Sequence, residues 1–216
     1  MRFEEYASAC YPGHTTILGL TLKPFSLGHY ILMKRFGCAY AAEGESKLDF
    51  GDFLLGLIIC SKTYEENVEF WNAPPVAFWS LENIKSFGVA WYMSKRAGRV
   101  FWDVYSWGKQ LKRLIKKDKR FNIFASIERF NKYITDGQKL PLFFELDSKS
   151  APSNAHWSTS LKITMMGEIG YTESQVYNTP LVQLFAEYCK YAESQGAIEL
   201  MSDGEEELAR ISMQRN

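Results

Sequence analysis

The chain reads as a mainly α-helical protein, a multi-helix bundle with at most a minor β-hairpin and a C-terminal helical module. Three observations predict this. Apolar residues recur at helical spacing through most of the 216 residues. Helix start and stop residues punctuate those stretches, and the runs that read as extended are two short ones, at 17–22 and 140–146.

Taken in order, residues 17–22 (ILGLTL) alternate apolar with small or polar residues and read as a short strand or an extended arm. Pro24 precedes Ser26, an N-cap candidate for a helix carrying Leu27, Tyr30, Ile31 and Lys34, which Gly37 ends through a left-handed C-cap. A second helix follows Asp49 through Phe53, Leu54, Leu57 and Ile58, and its near-continuous apolarity implies burial on most sides. Residues 62–71 supply a third, short helical segment. Asn-Ala-Pro-Pro at 72–75 breaks the pattern, because proline lacks an amide donor and drives its predecessor out of helical geometry. Ser80 caps a longer helix containing Ile84, Phe87, Val89, Trp91 and Tyr92. Gly98 interrupts it, and another helix follows through Phe101, Tyr105, Leu111, Leu114 and Ile115. Residues 122–133 form one more helix, stopped at Asp136-Gly137.

Residues 140–146 (LPLFFEL) are extended, and Pro141 confines them to an edge or a strand entry. DSKSAPSNA, at 147–155, is the best linker in the chain. The expected organisation is therefore a helical body at 1–146, a linker at 147–156 and a C-terminal helical module at 157–216. In the module, Leu161, Met165 and Ile169 recur at helical spacing before Gly170, and Thr172 opens a short turn. Pro180 suits a helix first turn after Thr179 as N-cap. Leu181, Leu184, Phe185, Tyr188 and Tyr191 or Ala192 form an apolar stripe, and Gly196 stops the helix. Ser202 with Glu205 is a capping box for a final acidic helix.

Composition narrows function. The 25 basic and 25 acidic residues cancel, so no global field draws the chain to nucleic acid or an anionic membrane. The longest strongly apolar run, 53–60, is far short of the ~20 residues a bilayer span needs. No secretion signal is read at the start of the chain, and a soluble protein is expected. Cys10, Cys38, Cys60 and Cys189 are widely spaced, mostly within or beside apolar runs, and read as reduced, buried thiols.

Candidate chemistry is sparse. Cys10 and His14 have helical spacing for a metal, but Pro12-Gly13 lies between them and no second Cys/His pair completes a site, so no metal and no cofactor are expected. His29, in the first turn of its helix, is either a general base or a structural residue; a hydrolase would pair it with a carboxylate or with Cys60. Apolar surroundings raise thiol pKa and make Cys38 and Cys60 poor nucleophiles. Asp49, Asp52, Glu65 and Glu66 stand at helix starts, where carboxylates cap and complement the macrodipole. Phosphate-binding glycine loops, GxSxG and HExxH are missing from the sequence. The strongest charge feature is 109–120 (KQLKRLIKKDKR), with Lys95, Arg96 and Arg99 upstream. There Lys112, Arg113, Lys116 and Lys117 surround an apolar stripe and present a solvated face, a site for an acidic partner, or a nucleic-acid contact. Glu205, Glu206 and Glu207 are a candidate counter-charge within the chain or in a neighbouring copy.

The C-terminal pattern of Trp157, Leu161, Tyr171-Thr172-Glu173-Ser174, Pro180-Leu181, Phe185, Tyr188, Ala192-Glu193 and Gly196 resembles the tail assembly chaperones of tailed bacteriophages and prophages. The stretches 20–30 and 54–61 look like prophage proteins encoded among tail genes. The resemblance covers about half the chain and rests mostly on helix grammar. It implies a non-enzymatic protein of the host bacterial cytoplasm that coats the tape-measure protein while tail-tube subunits assemble around it. The stripe Leu181, Leu184, Phe185 and Tyr188 would meet the partner, and self-association is compatible with this role. The large aromatic middle of the chain departs from the shorter family members.

Overall fold

The computed structural model describes residues 6, 7, 10, 11, 15–42, 50–72, 123–145 and 155–213. Among these the protein is mainly α-helical, with two small antiparallel sheets. The helices are α1 (Leu27–Arg35), α2 (Phe50–Cys60), α3 (Tyr64–Asn72), α4 (Ile123–Gly137), α5 (Trp157–Gly167), α6 (Glu173–Asn178), α7 (Leu181–Ser194) and α8 (Asp203–Met213). The strands are β1 (Thr16–Ile17), β2 (Leu20–Thr21), β3 (Phe143–Glu145) and β4 (Ile198–Leu200). The chain divides into two compact units: His14–Lys23 with Gly28–Ile134, and Met1–Gly13 with Pro24–Leu27 and Thr135–Asn216. The helices expected between 80 and 115 and the linker residues 147–154 lie outside the described residues.

Local chemistry explains most helix ends. Gly37, at φ +64°, closes α1 in a Schellman arrangement, with Gly37 N–H donating to Lys34 O and Cys38 N–H to Met33 O. Gly196, at φ +69°, closes α7 in the same way through Glu193 O and Ala192 O. Thr172 and Gln175 form a reciprocal capping box at α6, and Thr63 with Glu66 exchanges the same two bonds at α3. The run 17–22 is a hairpin rather than a single strand. Leu18 and Gly19 both take positive φ (51° and 80°), the geometry of a two-residue turn whose twist matches its strands.

In the unit that holds α2, every residue of 51–60 is buried, so this helix has no solvent-facing side. Its Gly56 passes against Phe130 of α4, whose fully buried ring meets Tyr40 and Phe53 edge-on at centroid distances of 4.9 and 5.7 Å and stacks on Tyr133 at 5.7 Å. Burial of a whole helix leaves its last four carbonyls without water. All four are satisfied by protein. Leu57 O accepts from Ser61 N–H, Ile58 O from Ser61 Oγ, Ile59 O from Asn67 Nδ2 and Cys60 O from Lys23 N–H. Tyr133 Oη in turn donates to Lys23 O at 2.5 Å, tying the same peptide to α4.

The other unit is organised around α7, whose Leu181, Val182, Leu184, Cys189 and Ala192 are buried. Leu161 and Met165 of α5 and Val176 and Tyr177 of α6 are buried in the same unit. Thr179, expected to cap α7, instead ends α6, and Pro180 stands at the N-cap. Proline has no side-chain acceptor to offer, so the first free amide of α7, Leu181 N–H, is met by Phe25 O at 2.7 Å. Ser26 and Pro180 form an adjoining antiparallel bridge. β3 pairs with β4 in the register Phe143↔Leu200, Phe144↔Glu199 and Glu145↔Ile198, so this extended stretch belongs with the C-terminal helices.

Gly56→Ala tests the closest packing contact. A Cβ there would sit 2.7 and 2.8 Å from Phe130 Cε1 and Cζ, and the enclosed ring cannot yield. The expected loss is about 1–3 kcal/mol in denaturant unfolding, opposing the ~1 kcal/mol helix-propensity gain of alanine. Gly167→Ala on α5, where no atom lies within 4 Å of the added carbon, is expected to be neutral or stabilising.

Candidate recognition surface

Among the described residues, His29, Asp52 and the four cysteines are committed to structure. His29 is buried and donates from Nε2 to Lys62 O at 2.8 Å, which places the neutral ring's proton on Nε2. Burial lowers its pKa to about 4, against a smaller opposing effect of that bond. Asn67, also fully buried, spreads its two Nδ2 protons over Ile59 O (2.9 Å), Thr63 O (3.0 Å) and Lys62 O (3.4 Å). His29 and Asn67 thus complete the polar cap at the end of α2.

All four thiols are buried and unpaired by disulfides. Burial pushes Cys60 far above the ordinary thiol range, outweighing the lowering effect of the Tyr133 hydroxyl. It also raises Cys10 and Cys189. A protonated, solvent-free thiol is a poor nucleophile. Asp52, in the first turn of α2, accepts from Ala39 N–H at 3.2 Å, while its backbone carbonyl receives the Cys38 thiol, so the carboxylate holds the 3-10 turn at Ala39–Ala41. No group of three metal-ligating side chains converges among the described residues.

The stripe read from sequence splits. Leu181 and Leu184 are wholly buried, Phe185 is partly buried and Tyr188 is 36% exposed. Only the Phe185–Tyr188 end reaches the surface. The Phe185 ring lies 5.5 Å from that of Trp157, itself 38% exposed at the start of α5. His156 caps α5 by accepting from Ser158 N–H at Nδ1, an N-cap role that sequence reading had not assigned. On α5, Leu161 and Met165 face the core, while Ile163 and Met166, one turn apart on the opposite side, are 63% and 39% exposed. Lys162 is anchored beside them by Glu173 at 2.6 Å and the Tyr177 hydroxyl at 2.7 Å, and its ammonium lies over the Tyr177 ring. α5 therefore presents Trp157, Ile163 and Met166 on a helix held in place by α6 and α7.

Lys112, Arg113, Lys116 and Lys117 lie outside the described residues, as does His14 of the Cys10–His14 pair. Asn67, Phe130 and Ile163 were not singled out from sequence. Asn67 carried one usable sign, since asparagine in a helix interior is unfavourable unless its amide serves a backbone group. No helix among the described residues is long and apolar enough to cross a membrane. No protein-family model matches this chain, and neither a curated protein nor a solved structure matches it significantly.

The neutral, buried His29 makes stability pH-dependent. The unfolded chain takes up the proton near pH 6.5 and the folded one only near pH 4, so the stabilising term is fully present above pH 6.5 and declines as pH falls through that window. The loss is on the order of 3 kcal/mol in total. Urea unfolding of wild type and His29→Gln between pH 4 and 7.5 checks this. The glutamine can still donate to Lys62 O without titrating, so the variant is expected to show a shallower pH slope.

Proposed function

We propose that this chain is a non-enzymatic binding protein of the tail-assembly-chaperone kind, engaging a tape-measure or tail-tube protein in the host cytoplasm during tail morphogenesis. The observation that carries the binding reading is the outer face of α5, where Ile163 and Met166 meet solvent on a helix anchored by Leu161, Met165 and the Lys162–Glu173–Tyr177 contacts. The specific partner rests on the resemblance of the Trp157–Gly196 pattern. Trp157, Phe185 and Tyr188 add aromatic surface of the kind enriched at protein interfaces. An amphipathic helix is the matching partner, because it buries an i, i+3 apolar pair against its own stripe.

Covering what remains exposed of Ile163 and Met166 offers about 1–2 kcal/mol for the first and about 1 kcal/mol for the second before association costs. The contact is thus weak at any single side chain and accumulates along a long partner. Shielding follows: the apolar stripe of the partner is covered until a subunit with a larger interface displaces the chaperone.

Co-expression with a tape-measure protein encoded beside it is expected to give a soluble complex. Ile163→Glu with Met166→Glu is expected to abolish that complex while leaving the circular dichroism spectrum unchanged. A tape-measure protein equally insoluble with and without this chain would overturn the reading.

A further inference from the structure

Helix α5 carries a single ionisable side chain on its open side. At about 100° per residue, the arc from Lys162 through Met166, Thr159 and Ile163 to Gly167 and Ser160 covers roughly 160° of the helix. Thr159, Ile163, Met166 and Gly167 on that arc are exposed, and Lys162 and Ser160 are half-buried. Lys162 is the only charged residue between Trp157 and Gly167, and it stands one turn before Met166 at the margin of the apolar face.

The charge of Lys162 is answered within the chain. Its Nζ donates to Glu173 Oε1 at 2.6 Å and to Tyr177 Oη at 2.7 Å, and lies 4.8 Å from the centroid of the Tyr177 ring. The bond to Glu173 raises the pKa of the ammonium and lowers that of the carboxyl, so both groups stay charged. An ion pair between two half-exposed side chains is ordinarily a weak tie. Here the buried Tyr177 adds a hydroxyl and a ring to the same ammonium, so three contacts from α6 direct it.

A face whose one cation is already paired has no counter-ion to offer. A charged side chain of a partner covered by this arc would lose its water without gaining an opposite charge, which opposes binding. An apolar side chain meets no such penalty against Ile163 and Met166. We propose that the partner stripe seated on α5 is uncharged, and that Glu173 sets this specificity by neutralising Lys162 at the margin of the face. This specificity rests on the binding role proposed above for α5. Glu173 is a positioning residue, acting through Lys162. A complex held instead by the basic sequence at 109–120 would meet an acidic partner and weaken with salt, so ionic strength separates the two modes.

The test is the complex of the full chain with the tape-measure protein encoded beside it. Its dissociation constant is read between about 0.1 and 1 M NaCl, where the screening length falls from roughly 10 to 3 Å. The wild-type constant is expected to hold within about twofold, because a contact without unpaired charge has little to screen. Glu173→Gln keeps an oxygen for the Lys162 ammonium but removes the charge. It is expected to weaken the complex about three- to tenfold, since the partner then covers an uncompensated cation. Lys162→Met with Glu173→Gln removes both charges and is expected to restore the affinity. A merely structural role of the ion pair would not give that rescue, because the double variant lacks the tie altogether. A constant that rises roughly tenfold with salt, Glu173→Gln binding like wild type, or a double variant as weak as Glu173→Gln would overturn the proposal and leave a partner-binding role in place. No complex at any salt concentration would overturn the binding role itself, and this specificity with it.

Discussion

A helix with no wet side must send its last four carbonyls into other protein groups, and that requirement organises the unit around α2. The four carbonyls draw their donors from three places in the chain: Ser61 just beyond the helix, which serves two of them, Asn67 on α3 and Lys23 after the β1–β2 hairpin. His29 on α1 and Asn67 both donate to Lys62 O, two residues beyond the helix. An unsatisfied buried carbonyl costs about 1–3 kcal/mol, so these donors are obligatory partners of the apolar burial itself. The apolar side of the same constraint is the approach of Phe130 to Gly56, which only a residue without a side chain permits. A charged His29 would carry an ion into this enclosed cap, which is why its ring stays neutral.

The unit around α7 meets the same requirement in a different way. Pro180 forgoes a side-chain cap, and the backbone of Phe25 supplies it instead, so the short segment 24–27 is bound into the start of α7. At the far end, Leu200 N–H donates to Glu193 Oε1, and Leu142 N–H to Glu206 Oε1, so carboxylates on two helices hold the β3–β4 ribbon. Orienting α8 by a polar contact leaves its apolar side outward. Orienting α5 by Leu161 and Met165 leaves Ile163 and Met166 outward. The surfaces open to partners are thus by-products of which residue anchors each helix.

Much of this was legible in the residues because helix ends are written locally. Gly37, Gly196, Thr172 and the Ser202–Glu205 pair act on amides and carbonyls within four residues of themselves, and the burial of 51–60 follows from near-continuous apolarity. Thr179 misled because two helices meet there. A Thr-Pro pair reads as the start of the second, while the structure uses the threonine to end the first. The stripe at Leu181, Leu184, Phe185 and Tyr188 was periodic enough to mark an apolar face, yet periodicity is the same for a face against a core and a face against a partner.

The sequence by itself determined that the chain is mainly helical, where most of its described helices stop, which helix is wholly buried and that its charges balance. Those properties depend on neighbours a few residues apart or on composition. Only the tertiary structure decided that Phe144 pairs with Glu199, that Asn67 and His29 serve the end of α2, that Leu181 and Leu184 are core, and that Ile163 and Leu208 face solvent. Each of these depends on a second group brought close by folding. Spacing along one segment carries no information about what stands on its other side.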